Sequence, residues 1–78
     1  MKFYDIQTGQ RAHNDTLIWT DFTDDEFCIA DNAEEAIQIT KEILEILEPN
    51  NADMDIRVRE VTRDEYGGII YGGWVYND

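Results

Sequence analysis

The spacing of apolar and polar positions changes character along the chain, and each change predicts an element. Residues 2–8 alternate loosely, with Tyr4 and Ile6 on one side, and predict a first strand followed by a polar loop over residues 9–15. Residues 16–22 are rich in β-branched and aromatic side chains (Thr16, Ile18, Trp19, Thr20, Phe22) and predict a second strand. Thr23, Asp24, Asp25 and Glu26 supply turn chemistry before a short apolar run, Phe27-Cys28-Ile29-Ala30. Three strands in succession predict a meander.

The period then lengthens to that of a helix. Ala33, Ala36, Ile37, Thr40, Ile43, Leu44 and Leu47 fall on one side, with Glu34, Gln38, Lys41, Glu45 and Glu48 on the other. Ile39 and Ile46 flank the apolar stripe and widen it, as suits a helix lying across a sheet. Asp31 followed by Glu34 has the spacing of a capping box, and Pro49 with Asn50 and Asn51 predicts the stop. Alternation returns at residues 54–61: Met54, Ile56 and Val58 face one way, while Asp55, Arg57 and Arg59 face the other, as in a strand with one wet side. After a glycine-containing loop at residues 63–68 come Ile69-Ile70-Tyr71, Gly72-Gly73 and Trp74-Val75-Tyr76. Two three-residue arms make a marginal hairpin, so the glycine pair predicts a bulge in one long strand. The whole reads as one α+β domain over residues 1–78: an antiparallel sheet of four to five strands packed by one helix, in the order β-β-β-α-β-β.

Composition narrows the class. With 42% hydrophobic and 12% aromatic residues the chain is too apolar for a disordered acidic tail, yet at 78 residues it can build only one modest core. The single cysteine, Cys28, excludes an intramolecular disulfide, and no apolar run reaches the length of a signal or a membrane span. A cytoplasmic protein that does not bind membranes is the expectation.

Charge changes the picture most. Eighteen acidic against six basic residues give a net charge of −12. Direct nucleic-acid binding is disfavoured by such a field, so the expected partner is a basic protein surface. Ten acids lie between positions 21 and 48 against one base, Lys41. Of these, Asp21, Asp24, Asp25, Glu26, Glu34, Glu35, Glu42, Glu45 and Glu48 form the candidate partner-binding acidic face. Arg57, Arg59 and Arg63 gather later in the chain, so the folded surface is expected to be polarised.

Candidate chemistry is sparse. His13 sits alone in a polar loop, Cys28 has no basic neighbour in sequence, and the chain lacks serine. The run Asp21-Phe22-Thr23-Asp24-Asp25-Glu26 fails the calcium-loop template, since Phe27-Cys28-Ile29 stands where ligands are needed. No catalytic residue, metal site or cofactor is expected. Trp19, Trp74, Tyr66, Tyr71 and Tyr76 lack the positive groove of a base-stacking platform and read as core and sheet-face packing. Ile70 and Val75 on one strand face, against Tyr71 and Trp74 on the other, exceed what one helix covers. A homodimer or partner patch on the C-terminal strand is therefore a further expectation.

The junction Phe27-Cys28-Ile29-Ala30-Asp31-Asn32-Ala33-Glu34-Glu35-Ala36-Ile37 resembles a strand-to-helix step of small acidic proteins of phages and conjugative elements, in which a strand ends in Asp and a Glu-Glu-Ala turn opens the helix. The resemblance implies a non-enzymatic accessory or interaction protein of a mobile genetic element. Some such proteins inhibit host restriction or CRISPR enzymes by imitating nucleic acid, which makes a nucleic-acid mimic the alternative. It implies no site residues.

Self-repulsion among so many like charges has a measurable consequence. Raising sodium chloride from about 20 mM to about 500 mM should raise the melting temperature by about 5 °C, followed by circular dichroism. Indifference to salt means that the acids are well separated or already paired.

Overall fold

The computed structural model describes residues 1–22, 27–49 and 54–77. It contains strands β1 (Lys2–Arg11), β2 (Leu17–Asp21) and β3 (Cys28–Ala30), helix α1 (Ala33–Leu47), and strands β4 (Asp55–Arg63), β5 (Ile69–Tyr71) and β6 (Val75–Tyr76). All six strands join one antiparallel sheet, and α1 packs against one of its faces. The class is α+β as expected, with six strands in place of four or five.

The sheet has four lanes. β1 and β4 are the two central ones, paired from Phe3↔Val61 to Gly9↔Asp55. The outer edge of β1 is shared end to end: β3 pairs with residues 2–4 and β2 with residues 7–11. The expected meander is thus corrected, because β2 and β3 each pair with β1 and not with each other. The ten-residue length of β1 makes room for both. The expected turn at Thr23, Asp24, Asp25 and Glu26, and that at Asn50 and Asn51, lie outside the described residues.

β1 also runs three residues beyond the expected stop at Thr8, straight through Gly9. Glycine ordinarily weakens a strand. Here it lets the strands pack closely, because a β-carbon at Gly9 would meet the Trp19 indole at 3.2 Å and the Leu17 Cδ1 at 3.0 Å, and these side chains would have to give way. Trp19 lies directly across the ladder and covers the bare backbone. The hairpin then turns at Asp15, whose φ of 64° is left-handed and is tolerated by this residue type.

The last lane settles the glycine pair. Val58↔Val75 and Val61↔Tyr71 leave two residues of β4, Arg59 and Glu60, facing three, Gly72, Gly73 and Trp74. β5 and β6 are therefore two parts of one strand interrupted by a one-residue bulge, and Gly72 N–H still donates to Glu60 O at 2.8 Å.

The core lies between α1 and the face of the sheet carrying Tyr4, Ile6, Ile56 and Val58, and Ala30, Ala36, Ile37 and Leu44 complete it. Thr40 is fully buried among them, and its hydroxyl is satisfied by donating to Ala36 O at 2.9 Å. The packed length of the helix ends at Leu44: Leu47, on the expected apolar side, is 69% exposed, and Ile46 79%. The cap moves by one residue. Asn32, not Asp31, adopts the extended N-cap conformation, and its Oδ1 accepts from Glu35 N–H at 2.8 Å. Asp31 instead lies 3.8 Å from the amino terminus. Both residue types cap well, and the length of the β3-to-α1 link chooses between them.

Asn32→Ala should cost about 1 kcal/mol in urea unfolding, whereas Asp31→Ala costs only a few tenths. Equal losses would contradict the observed cap.

Candidate functional site

Strand alternation sends Asp5, Gln7 and Arg11 of β1, and Asp55, Arg57, Arg59 and Arg63 of β4, to the face of the sheet away from α1. All four arginines of the protein are on this face. The expectation that Arg57 and Arg59 lie on a wet strand side is corrected, for both are half-buried under aromatic rings. The Arg57 Cζ lies 4.3 Å from the centroid of Trp19 and 4.1 Å from that of Trp74. The Arg59 Cζ lies 3.8 Å from that of Tyr71 and 4.4 Å from that of Trp74. The result is an alternating ladder in the order Trp19, Arg57, Trp74, Arg59, Tyr71, drawn from β2, β4, the bulge and β5. Tyr76 closes one end, edge-on to Trp19 at 5.9 Å.

Hydrogen bonds hold the guanidinium planes in place. Arg59 donates from Nε and Nη2 to Asp5 Oδ2, both at 2.9 Å. Only 12% of the Asp5 side chain is exposed, so water screens this pair less than a surface ion pair. Arg57 donates from Nε to Gln7 Oε1 at 2.9 Å and also from Nη2. Gln7 in turn donates from Nε2 to Asp21 Oδ1 at 2.8 Å. Asp21 therefore anchors the relay that orients Arg57.

This divides the predicted acidic face. Glu34, Glu35, Glu42, Glu45 and Glu48 are brought together on the exposed side of α1. Asp21 is on the opposite side of the sheet, within the arginine network. Asp24, Asp25 and Glu26 lie outside the described residues. Among the described residues, none of the five helix glutamates takes part in an ion pair; the four pairs join the amino terminus to Asp31, Lys2 to Glu60, Arg11 to Asp15 and Arg59 to Asp5. At 100° per residue the five occupy an arc of about 140°, and from Glu34 to Glu48 they extend over about 21 Å.

Two shallow hollows flank the ladder on the open face. One is lined by Arg11, Leu17, Trp19, Asp55, Tyr76 and Asn77. The other, about 390 Å³, is lined by Phe3, Phe27, Val61, Thr62, Arg63 and Ile69. His13 is exposed in the β1–β2 loop, and among the described residues no three His, Cys, Asp or Glu side chains converge to hold a metal ion. Cys28 is half-buried; burial, and after it the negative charge of Glu35, hold its thiol above the ordinary cysteine value. A thiol so held is a poor nucleophile at neutral pH.

Comparison of the chain with protein families, curated proteins and solved structures finds no match. What the molecule does has to be read from its two faces.

Sequence reasoning named the aromatics and the arginines separately and missed their partnership. The available signal was Arg57 and Arg59 two positions apart on one strand, with Trp and Tyr in neighbouring strands. Register was the missing piece. If the stacking stabilises the fold, Trp74→Ala should cost about 2 kcal/mol, and a double-mutant cycle with Arg57→Ala should show a coupling of about 0.5–1 kcal/mol in urea unfolding. A coupling of zero would mean that the rings and guanidinium groups merely share space.

Proposed function

We propose that this is a non-enzymatic interaction protein, of the accessory kind carried by mobile genetic elements, that engages a basic partner through the exposed side of α1. The observation carrying this reading is that Glu34, Glu35, Glu42, Glu45 and Glu48 are all exposed and, among the described residues, none is in an ion pair. The four arginines that would be their natural partners are committed to the other side of the sheet. Exposed carboxylates on a regular helix keep their full charge and a defined spacing, which is what a basic surface recognises over several contacts.

A narrower reading concerns the partner. Five carboxylates spanning about 21 Å have a mean axial spacing of about 5 Å, the same order as the 3.4 Å between phosphates along a nucleic-acid strand. That density favours a partner whose basic groove otherwise holds nucleic acid, with the helix standing in for the phosphates.

The test compares two triple variants that remove equal charge. Glu34→Gln with Glu45→Gln and Glu48→Gln should weaken binding to a Lys/Arg-rich 20-residue peptide by about tenfold at 50 mM salt, measured by fluorescence anisotropy. Asp15→Asn with Asp31→Asn and Glu65→Gln should leave it within about twofold. Equal weakening by both variants means that total charge, not the helix face, is responsible. The mimic reading further requires the wild-type protein to displace a basic DNA-binding domain from a duplex at low salt. Failure there removes that reading and leaves the broader one.

A further inference from the structure

β5 and β6 form one outer edge of the sheet, and that edge is unlike the rest of the molecule. Residues 67–77 carry no charge, in a chain whose residues are 31% charged. All five strand residues, Ile69, Ile70, Tyr71, Val75 and Tyr76, are exposed. Their inner side pairs with β4, and among the described residues nothing pairs with their outer side. Free N–H and C=O groups on an edge are a template for another strand, so soluble proteins usually guard edges with charge or proline. The opposite edge follows that rule, since β2 ends in Asp21 and β3 runs into Asp31. The β5 edge does not.

We propose that a second copy of this chain pairs with β5, antiparallel about a two-fold axis at Ile70, joining the two sheets into one. An uncharged strand with apolar side chains on both faces is best met by another of the same kind, and the chain itself supplies one. Antiparallel pairing of β5 with β5 is self-complementary: Ile70 meets Ile70, and Ile69 meets the second copy's Tyr71. On the helix side this covers Ile70, which α1 leaves 49% exposed because it packs chiefly on β4 and β3. On the open face it brings the second copy's Tyr71 beside Ile69, at the rim of the apolar hollow of about 390 Å³.

At the edge itself charge does not oppose the pairing, because the glutamates of α1 are not there and the side chains beside β5 on the open face are Arg59 and Arg63. The net charge of −12 per chain repels at longer range and is screened by salt. The pairing is independent of the role proposed for α1 and leaves both acidic helices free.

Sedimentation velocity on the full chain tests the pairing, at about 10–500 µM protein and about 0.3 M sodium chloride to screen the net charge. The expected mass at the upper concentrations is twice 9.1 kDa. Ile70→Lys and Ile70→Glu should each be monomeric throughout, with an unchanged circular dichroism spectrum. Mixing the two variants should restore the dimer, since the axis brings opposite charges together. A wild-type protein that stays at 9.1 kDa overturns the proposal. So does a dimer that persists in Ile70→Lys, or a mixture that sediments like either variant alone.

Discussion

The pairing of β1 with β4 is the contact on which the rest of the molecule depends. Seven residue pairs, from Phe3↔Val61 to Gly9↔Asp55, join segments about fifty positions apart. Because side chains alternate with period two, that one register decides both faces at once. Ile6 opposite Val58 and Thr8 opposite Ile56 go under the helix, while Asp5 opposite Arg59 and Gln7 opposite Arg57 go to the open side. A slip of one residue would bury two guanidinium groups beneath α1 and strip the core of its isoleucine and valine. The cost of such a buried, unpaired charge is several kcal/mol, which is why the register is unambiguous.

A single helix covers one side of a sheet, and among the described residues no second helix covers the other. The open side is closed instead by side chains laid flat. Arginine suits this task, being planar, weakly hydrated and permanently charged, so that it stacks on rings while its edge still donates hydrogen bonds. The bulge at Gly72 and Gly73 brings Trp74 between Arg57 and Arg59. Without the extra residue, Trp74 would continue the regular alternation of the strand and its position between the two guanidinium groups would be lost.

These two solutions separate the charge of the protein. The arginines are drawn to one side of the sheet by aromatic rings, Asp5 and Gln7, and the glutamates of α1 lie on the other side, where, among the described residues, none is in an ion pair. A molecule that is acidic on average thus carries one strongly negative side and one side where charge is largely matched. The proposed roles follow that division: an acidic helix for a basic partner, and an uncharged edge for a second copy.

The helix, the alternation of β4, the bulge and the α+β class are local properties, and they were legible because periodicity and glycine placement act over a few residues. The exposed glutamates were legible for the same reason. What the chain order could not convey was which strand lies beside which. The split of one edge of β1 between β2 and β3, the passage of β1 through Gly9 beneath Trp19, the choice of Asn32 over Asp31 as cap, and the stacking of Arg57 and Arg59 all depend on contacts between distant segments. Asp21 shows the difference most clearly. By sequence it belongs with the acids that follow it, and by register it faces Gln7 and supports an arginine. Local patterning determined what each element is and which of its sides is apolar, because backbone geometry imposes the periods of two and 3.6 residues on any chain. Only the tertiary structure decided what those sides meet, because strand register is set by the packing of the whole sheet.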